Sequence, residues 1–253
     1  MSAIALFHAL DARARCLLCL IMSIGSTACL VPRKPLIAPT PVTQGATVVS
    51  PKGLNIALAG GAGLLGQRQK NSGIVMSRFG WGFGSNVGVS IGGYGGDEEN
   101  VTGGAFGQLK VQGTSLFGGR GLWGVHVAAA HGSMESNVQD ETLTTWDVAL
   151  PVEILLSSGT DNWLSAYAGP RFVHNNFTDR ENAGGSLTSS YRGLLTGLHA
   201  KRSRFRILAE ITVAQLPEGT YRGQQVGGRM AVIPMIEIAY TIGTDQLWPG
   251  SGN

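Results

Sequence analysis

Residues 227–243 read GGRMAVIPMIEIAYTIG. The even positions are Met230, Val232, Pro234, Ile236, Ile238, Tyr240 and Ile242. The odd positions carry Arg229, Ala231, Glu237, Ala239 and Thr241, with Ile233 and Met235 as exceptions. Successive side chains of a β-strand point to opposite faces, so this stretch predicts a strand with one oily and one mixed face. At about 3.3 Å per residue it is long enough, when tilted, to cross a bilayer, for which roughly 9–11 residues suffice.

Working outward from that strand, ten segments share its character: 53–61, 73–83, 85–94, 103–113, 119–131, 144–157, 162–174, 191–200, 203–215 and 228–242. In the sixth, Trp146, Val148, Leu150, Val152, Ile154 and Leu156 oppose Asp147, Ala149 and Glu153. In the ninth, Phe205, Ile207, Ala209, Ile211 and Val213 oppose Arg204, Arg206, Glu210 and Thr212. The eighth is ambiguous, and Pro151, Pro170 and Pro234 fall where ladder hydrogen bonds belong, which points to bulges. Long polar connections (62–72, 95–102, 132–143, 175–190, 216–227) alternate with short turns at 84, 114–118, 158–161 and Lys201-Arg202. Strict long/short alternation is the habit of an outer-membrane barrel, with long loops outside and short turns in the periplasm. The fold expected is all-β: an antiparallel up-and-down transmembrane β-barrel of about ten strands, with eight as the alternative.

Composition agrees. Charged residues make up 14% of the 253 residues, there are 38 glycines, and mean hydropathy is +0.11, whereas soluble domains carry about 25% charge. After the N-terminus no apolar run approaches the ~18 residues of a membrane helix. A net charge of +3 with no Lys/Arg block gives no footprint for nucleic acid.

At the N-terminus, Arg13 and Arg15 precede an apolar run from Cys16 to Ile24, then Gly25-Ser26-Thr27-Ala28-Cys29, the pattern of a cleavable signal over residues 1–28. Ser26-Thr27-Ala28-Cys29 resembles the lipobox of bacterial lipoproteins, which implies acylation at Cys29, although Ser26 stands where that family usually has Leu. Ordinary cleavage after Ala28 is the alternative. The cysteine count favours acylation: Cys16 and Cys19 lie in the signal, leaving Cys29 without a disulfide partner. Residues 29–52 hold Pro32, Pro35, Pro39, Pro41 and Pro51 and read as an extended tether. The barrel would occupy 53–243, followed by a tail over 244–253.

On this strand pattern, residues 53–243 resemble the small outer-membrane β-barrel proteins of Gram-negative bacteria, in the broad OmpA-like and OmpW-like sense. The resemblance implies an outer-membrane location with both termini periplasmic and contact with membrane lipid and lipopolysaccharide. The family's usual C-terminal aromatic is missing, since Tyr240 is followed by Thr241 to Asn253. Trp81, Phe83, Trp146 and Phe205 fall near strand ends on the oily face, as an aromatic girdle would. The mixed faces hold Gly, Ala and Ser with Arg78, Lys110, Arg120, Asp147, Glu153, Arg171, Arg204, Arg206, Glu210, Arg229 and Glu237. These predict a narrow, filled lumen; a lipocalin-like soluble barrel would turn the oily face inward instead.

Chemical motifs are sparse. Gly61-Ala62-Gly63-Leu64-Leu65-Gly66 has the spacing of a dinucleotide fingerprint, yet Gln67 to Gly73 offers no helix face to follow it. His131-Gly132-Ser133, with Glu135 and Glu141, faintly resembles the set used by outer-membrane lipid A deacylases. The omptin proteases share the strand count, but their acidic pairs have no counterpart here. Asp97-Glu98-Glu99 and Asp140-Glu141 read as solvated loop acids, and His126 as a lumen hydrogen-bonding residue. The sequence implies no enzyme, no cofactor and no metal. The function expected is a structural or interaction component of a cell-envelope machine with a protein partner. The alternatives are a small, weakly anion-preferring pore and a soluble, lipoprotein-anchored ligand binder.

Overall fold

The computed structural model describes residues 45–47, 53–63, 72–83, 86–96, 103–135, 140–159, 162–179, 186–215, 219–221, 224–226 and 230–243. The chain divides into Met1–Leu30 and Val31–Asn253, and the second unit carries the fold. The signal-like segment, Cys29, Arg229 and the tail lie outside the described residues.

The strands are β1 (Leu54–Gly63), β2 (Ser72–Phe83), β3 (Val87–Gly96), β4 (Gly103–Leu116), β5 (Gly121–Glu135), β6 (Asp140–Ala149) and β7 (Val152–Ser158). They continue with β8 (Asn162–Asp179), β9 (Ser186–Arg202), β10 (Phe205–Gln215), β11 (Gly219–Tyr221), β12 (Gln224–Val226) and β13 (Met230–Ile242). Eleven of them join in the order β4-β3-β2-β1-β13-β10-β9-β8-β6-β5-β7, and further β4–β5 and β7–β8 pairings close the sheet. β6 and β7 are successive halves of one stave, so the result is a closed antiparallel barrel of ten staves. β11 and β12 pair with each other in a small ribbon between β10 and β13.

The prolines sit where a ladder gives way on one side, while the pairing on the other side runs on through Pro170↔Leu194 and Ile211↔Pro234 without a bulge. β6 pairs with β8 as far as Ala149↔Arg171, and β7 resumes at Val152↔Ala168, so Pro151 and Pro170 lie at the same break. The gap is bridged by Leu150 N–H donating to Pro170 O at 3.0 Å and Gly124 N–H to Pro151 O at 2.9 Å. The β1–β13 pairing ends at Gly61↔Met235, one residue short of Pro234. The sixth segment is therefore interrupted, as a residue without an N–H requires.

Two expected loops are mostly wall. β5 and β6 are joined by residues 136–139 alone, and β8 and β9 by 180–185. The stretches 132–143 and 175–190 are mostly polar in sequence and show no hydrophobic alternation, yet their backbone extends the ladder, through Glu135↔Asp140 and Thr178↔Ser186. The short turns fall where expected near 84 and at 158–161, whereas β4 runs through Leu116 and turns over 117–120, and β9 runs through Arg202 and turns at Ser203.

The oily faces point outward. Trp146, Val148, Leu150, Val152, Ile154 and Leu156 are all exposed, whereas Asp147, Ala149 and Glu153 are buried. On β13, Ile236 and Ile238 are exposed while Met235, Glu237 and Ala239 are buried. Trp146–Leu156 covers eleven residues of the stave, which at ~3.3 Å each and a tilt near 40° makes a belt about 25 Å tall. Phe83, Phe117 and Phe205 lie exposed at its short-turn edge. At the other edge, beyond Trp146 and Phe172, outward positions become polar: His131 Nδ1 lies 3.1 Å from Thr144 Oγ1, and His174 Nδ1 lies 2.7 Å from Ser190 Oγ.

Inward, glycine makes room for bulk. A Cβ on Gly197 would meet the Tyr167 ring and lie 2.6 Å from Ala209 O, whereas one on Gly107 would meet nothing within 4 Å. Gly197→Ala is expected to cost about 1–3 kcal/mol by overpacking, with Gly107→Ala close to neutral, both read from urea unfolding of the folded barrel.

Candidate functional site

The lumen is filled by side chains. On β8, Arg171 presents Nε and Nη2 to Asp147 of β6, at 3.1 Å to Oδ1 and 2.6 Å to Oδ2. Its Nη1 donates to Glu210 Oε1 of β10 at 3.1 Å and to Thr212 Oγ1 at 2.9 Å. Tyr167 donates its hydroxyl proton to the other oxygen of Glu210 at 3.0 Å. One guanidinium thus holds two carboxylates in the bidentate and bridging geometry that favours arginine over lysine. A second set lies on the neighbouring arc: Arg78 Nη2 of β2 donates to Glu237 Oε1 of β13 at 2.8 Å and to Asn55 Oδ1 of β1 at 3.0 Å. Lys110 on β4 is within electrostatic reach of Glu153 and Glu237, on opposite sides of it around the barrel. His126 on β5 is fully buried beside Lys110, in the field of Arg78, Lys110 and Arg171.

An apolar layer lies further from the short turns. Moving that way, the inward positions of β2 run Arg78, Met76, Ile74, and those of β13 run Glu237, Met235, Ile233. Met76, Ile74, Met235 and Ile233 join Tyr94, Phe106, Val173 and Leu195 in one buried cluster. The two exceptions to alternation in the opening stretch are therefore members of an internal plug. Gly104 and Gly132 leave the space that the Tyr94 ring occupies.

At the short-turn end the lumen holds a piece of the tether. Ala46 and Thr47 are buried, and both donate backbone N–H groups to Glu153 Oε2, at 2.7 and 3.0 Å. Glu153 Oε1 accepts the Ser165 hydroxyl at 2.5 Å and lies 3.2 Å from His199 Nδ1. Thr47 Oγ1 is 3.4 Å from the same nitrogen, and Trp163 stands edge-on to the His199 ring at 4.5 Å. The Ala46 methyl packs with Leu122 and Trp163.

Ser165, His199 and Glu153 are the residue types of a hydrolytic triad, but their contacts are those of a structural clamp. A nucleophilic serine gives its proton to the imidazole; here the short contact of Ser165 is to the carboxylate, and all three groups are buried beneath the tether.

No protein-family model matches the sequence, and no curated protein does. The geometry therefore carries the functional reading.

Of the lumen residues read from the sequence, Arg78, Lys110, Asp147, Glu153, Arg171, Arg206, Glu210 and Glu237 are buried and inward. Arg120 and Arg204 are not. Arg120 follows the 3-10 turn Phe117–Gly119 and Arg204 follows Ser203 in the β9–β10 turn, so both are exposed at the rim, past the last strand pairs. Arg229 lies outside the described residues. Lys201, assigned to a turn from the sequence, is instead buried at 6% exposure opposite Arg206. His199, Asn55, Tyr167 and residues 45–47 were not legible as site residues. His131 and Ser133 lie exposed on the outside of the wall. Gly61 and Gly63 belong to β1, so the first half of the glycine motif is wall, and Leu64 to Gly66 lie outside the described residues.

Proposed function

We propose that this chain is a non-enzymatic outer-membrane β-barrel, anchored by acylation at Cys29, that serves as a structural or interaction component of an envelope machine. The observation that carries the reading is the pairing of an outward oily belt with a lumen filled by ion pairs and an apolar plug. An oily exterior without a matching partner surface suits lipid. A filled interior leaves the loops, the tall β5–β6 and β8–β9 walls and the short-turn face as working surfaces. Partners would be lipid, lipopolysaccharide and an envelope protein.

The second reading is a small pore. It draws on the buried charges, where among the described residues Arg78, Lys110, Arg171, Lys201 and Arg206 face Asp147, Glu153, Glu210 and Glu237, an excess of 5 − 4 = 1 cation. That excess is small, and paired charges hold side chains across the path an ion would take. The purified protein in planar bilayers is expected to give no steps of conductance. Reproducible anion-preferring steps would establish the pore and remove the structural reading. Heat-dependent electrophoretic mobility of the outer-membrane fraction tests location: a folded barrel shifts on boiling in SDS, while a peripheral domain is released by alkaline carbonate and does not shift.

A further inference from the structure

The structure assigns the short-turn mouth of the barrel a peptide-binding cleft, filled in cis by Gly45–Thr47, so that the tether is a strap latched onto Glu153. The inference stands on the geometry of the barrel and not on where the barrel resides.

Four features make this a built site and not a chance contact. First, one fully buried carboxylate oxygen takes two consecutive backbone N–H groups, from Ala46 and Thr47. Charge-assisted bonds of this kind are stronger than neutral ones, and they read backbone, not side chain. Second, Gly45 adopts φ 65°, a left-handed conformation that lets successive N–H groups converge on one anion. Third, the space is fitted to small residues. A Cβ at position 45 would come within 2.6 Å of Glu153 Oε2 and 3.1 Å of Tyr167, and one on Gly124 within 3.1 Å of the Ala46 Cα. Fourth, the carboxylate is itself held from behind by Ser165 and His199, so it is aimed into the cleft before the strap arrives.

The contacts join residues more than a hundred positions apart, with Glu153 as the common acceptor. What the cleft recognises is therefore a bent segment, left-handed at its first residue, with the order glycine, small residue, hydroxyl residue. A segment of that chemistry from another chain would use the same acceptor once the strap has left. Latched, the strap covers the ionic layer from the short-turn side.

The test uses the full chain folded in detergent, with Cys16, Cys19 and Cys29 changed to serine and folding followed by heat-dependent mobility. Thr47→Cys in this background is expected to react with a water-soluble maleimide at least about tenfold more slowly than Ser203→Cys in the exposed turn, because reaction requires local opening. Adding Glu153→Gln, or independently Gly45→Val, is expected to raise the Thr47→Cys rate to that of the turn while the mobility shift persists. The folded Gly45→Val chain should then bind a labelled peptide VTQGATVV, copied from residues 42–49, which the chain with Gly45 intact excludes. Adding Glu153→Gln should remove that binding. Rapid labelling of Thr47→Cys with the latch intact would overturn the inference. So would continued protection in both variants, or a folded, unlatched Gly45→Val chain that ignores the peptide.

Discussion

Arg171→Met is expected to lower the unfolding free energy of the barrel by about 3–5 kcal/mol, the cost of breaking a buried ion pair by removing one partner. The magnitude follows from what is left behind. Asp147 and Glu210 are each 1% exposed, and both depend on the same guanidinium. Without it, two carboxylates remain in the lumen, with Tyr167 still serving only Glu210. Were the pair exposed, the effect would be about 0–1 kcal/mol, so the size of the loss reports whether the network is dry. Asp147→Asn with Glu210→Gln in the Arg171→Met background is expected to return most of the loss, because removing every charge abolishes the unpaired burial. Urea unfolding of the three proteins, folded in vesicles and followed by electrophoretic mobility, gives the comparison. A single-variant change below about 1 kcal/mol would mean that the lumen is wet and the charges are solvated.

The architecture was legible because a wall with two unlike faces writes its period into the sequence. β6, β7, β10 and β13 alternate over long runs, and the short turns set the stave count. The direction of the oily face was argued from the small and pairable residues opposite it, and the outward exposure of Leu58 and Ile238 agrees. Alternation fails where both faces have the same polarity. The upper parts of β5, β6, β8 and β9 are mostly polar in sequence without alternation, and so read as loops. In β9, Leu194 is outward and Leu195 inward, one lining the belt and the other the plug, which blurred that segment.

The site was legible only as a set of faces. Parity places Arg78, Asp147, Arg171, Glu210 and Glu237 inside, but parity cannot say which of them meet. Pairing skips a stave, as between Arg171 on β8 and Glu210 on β10, and depends on how the sheet closes. Parity also misleads at the rim. Arg204 has the parity of Arg206, yet it lies beyond the Phe205↔Arg202 pair and is exposed. The strap left no local signal, because Gly45-Ala46-Thr47 is ordinary tether composition whose partner is Glu153 on a distant stave.

Ile238→Arg is expected to destabilise the vesicle-folded barrel by about 2–4 kcal/mol, whereas Ile242→Arg is expected to cost only about 0–1 kcal/mol. Ile238 lies between Leu58 and Ile207 in the ladder, with Leu58 62% exposed and Ile238 itself 55% exposed. Ile242 lies at the short-turn end of the same strand, beside Leu54, with the Phe205–Tyr240 aromatic pair just above. Both substitutions keep the backbone, leave the lumen untouched and differ only in depth along the outer face. In water an exposed isoleucine exchanged for arginine changes stability by about 0.5 kcal/mol or less, whatever its height on the wall. In hydrocarbon the guanidinium must be dehydrated at the belt's centre, while at its edge it reaches the headgroups. A gradient with depth thus belongs to a bilayer and to no other solvent. Equal, small effects at both positions would take the belt out of the membrane, and the proposed outer-membrane role with it. The latch at Glu153 would survive that result, since it is made of contacts inside the wall.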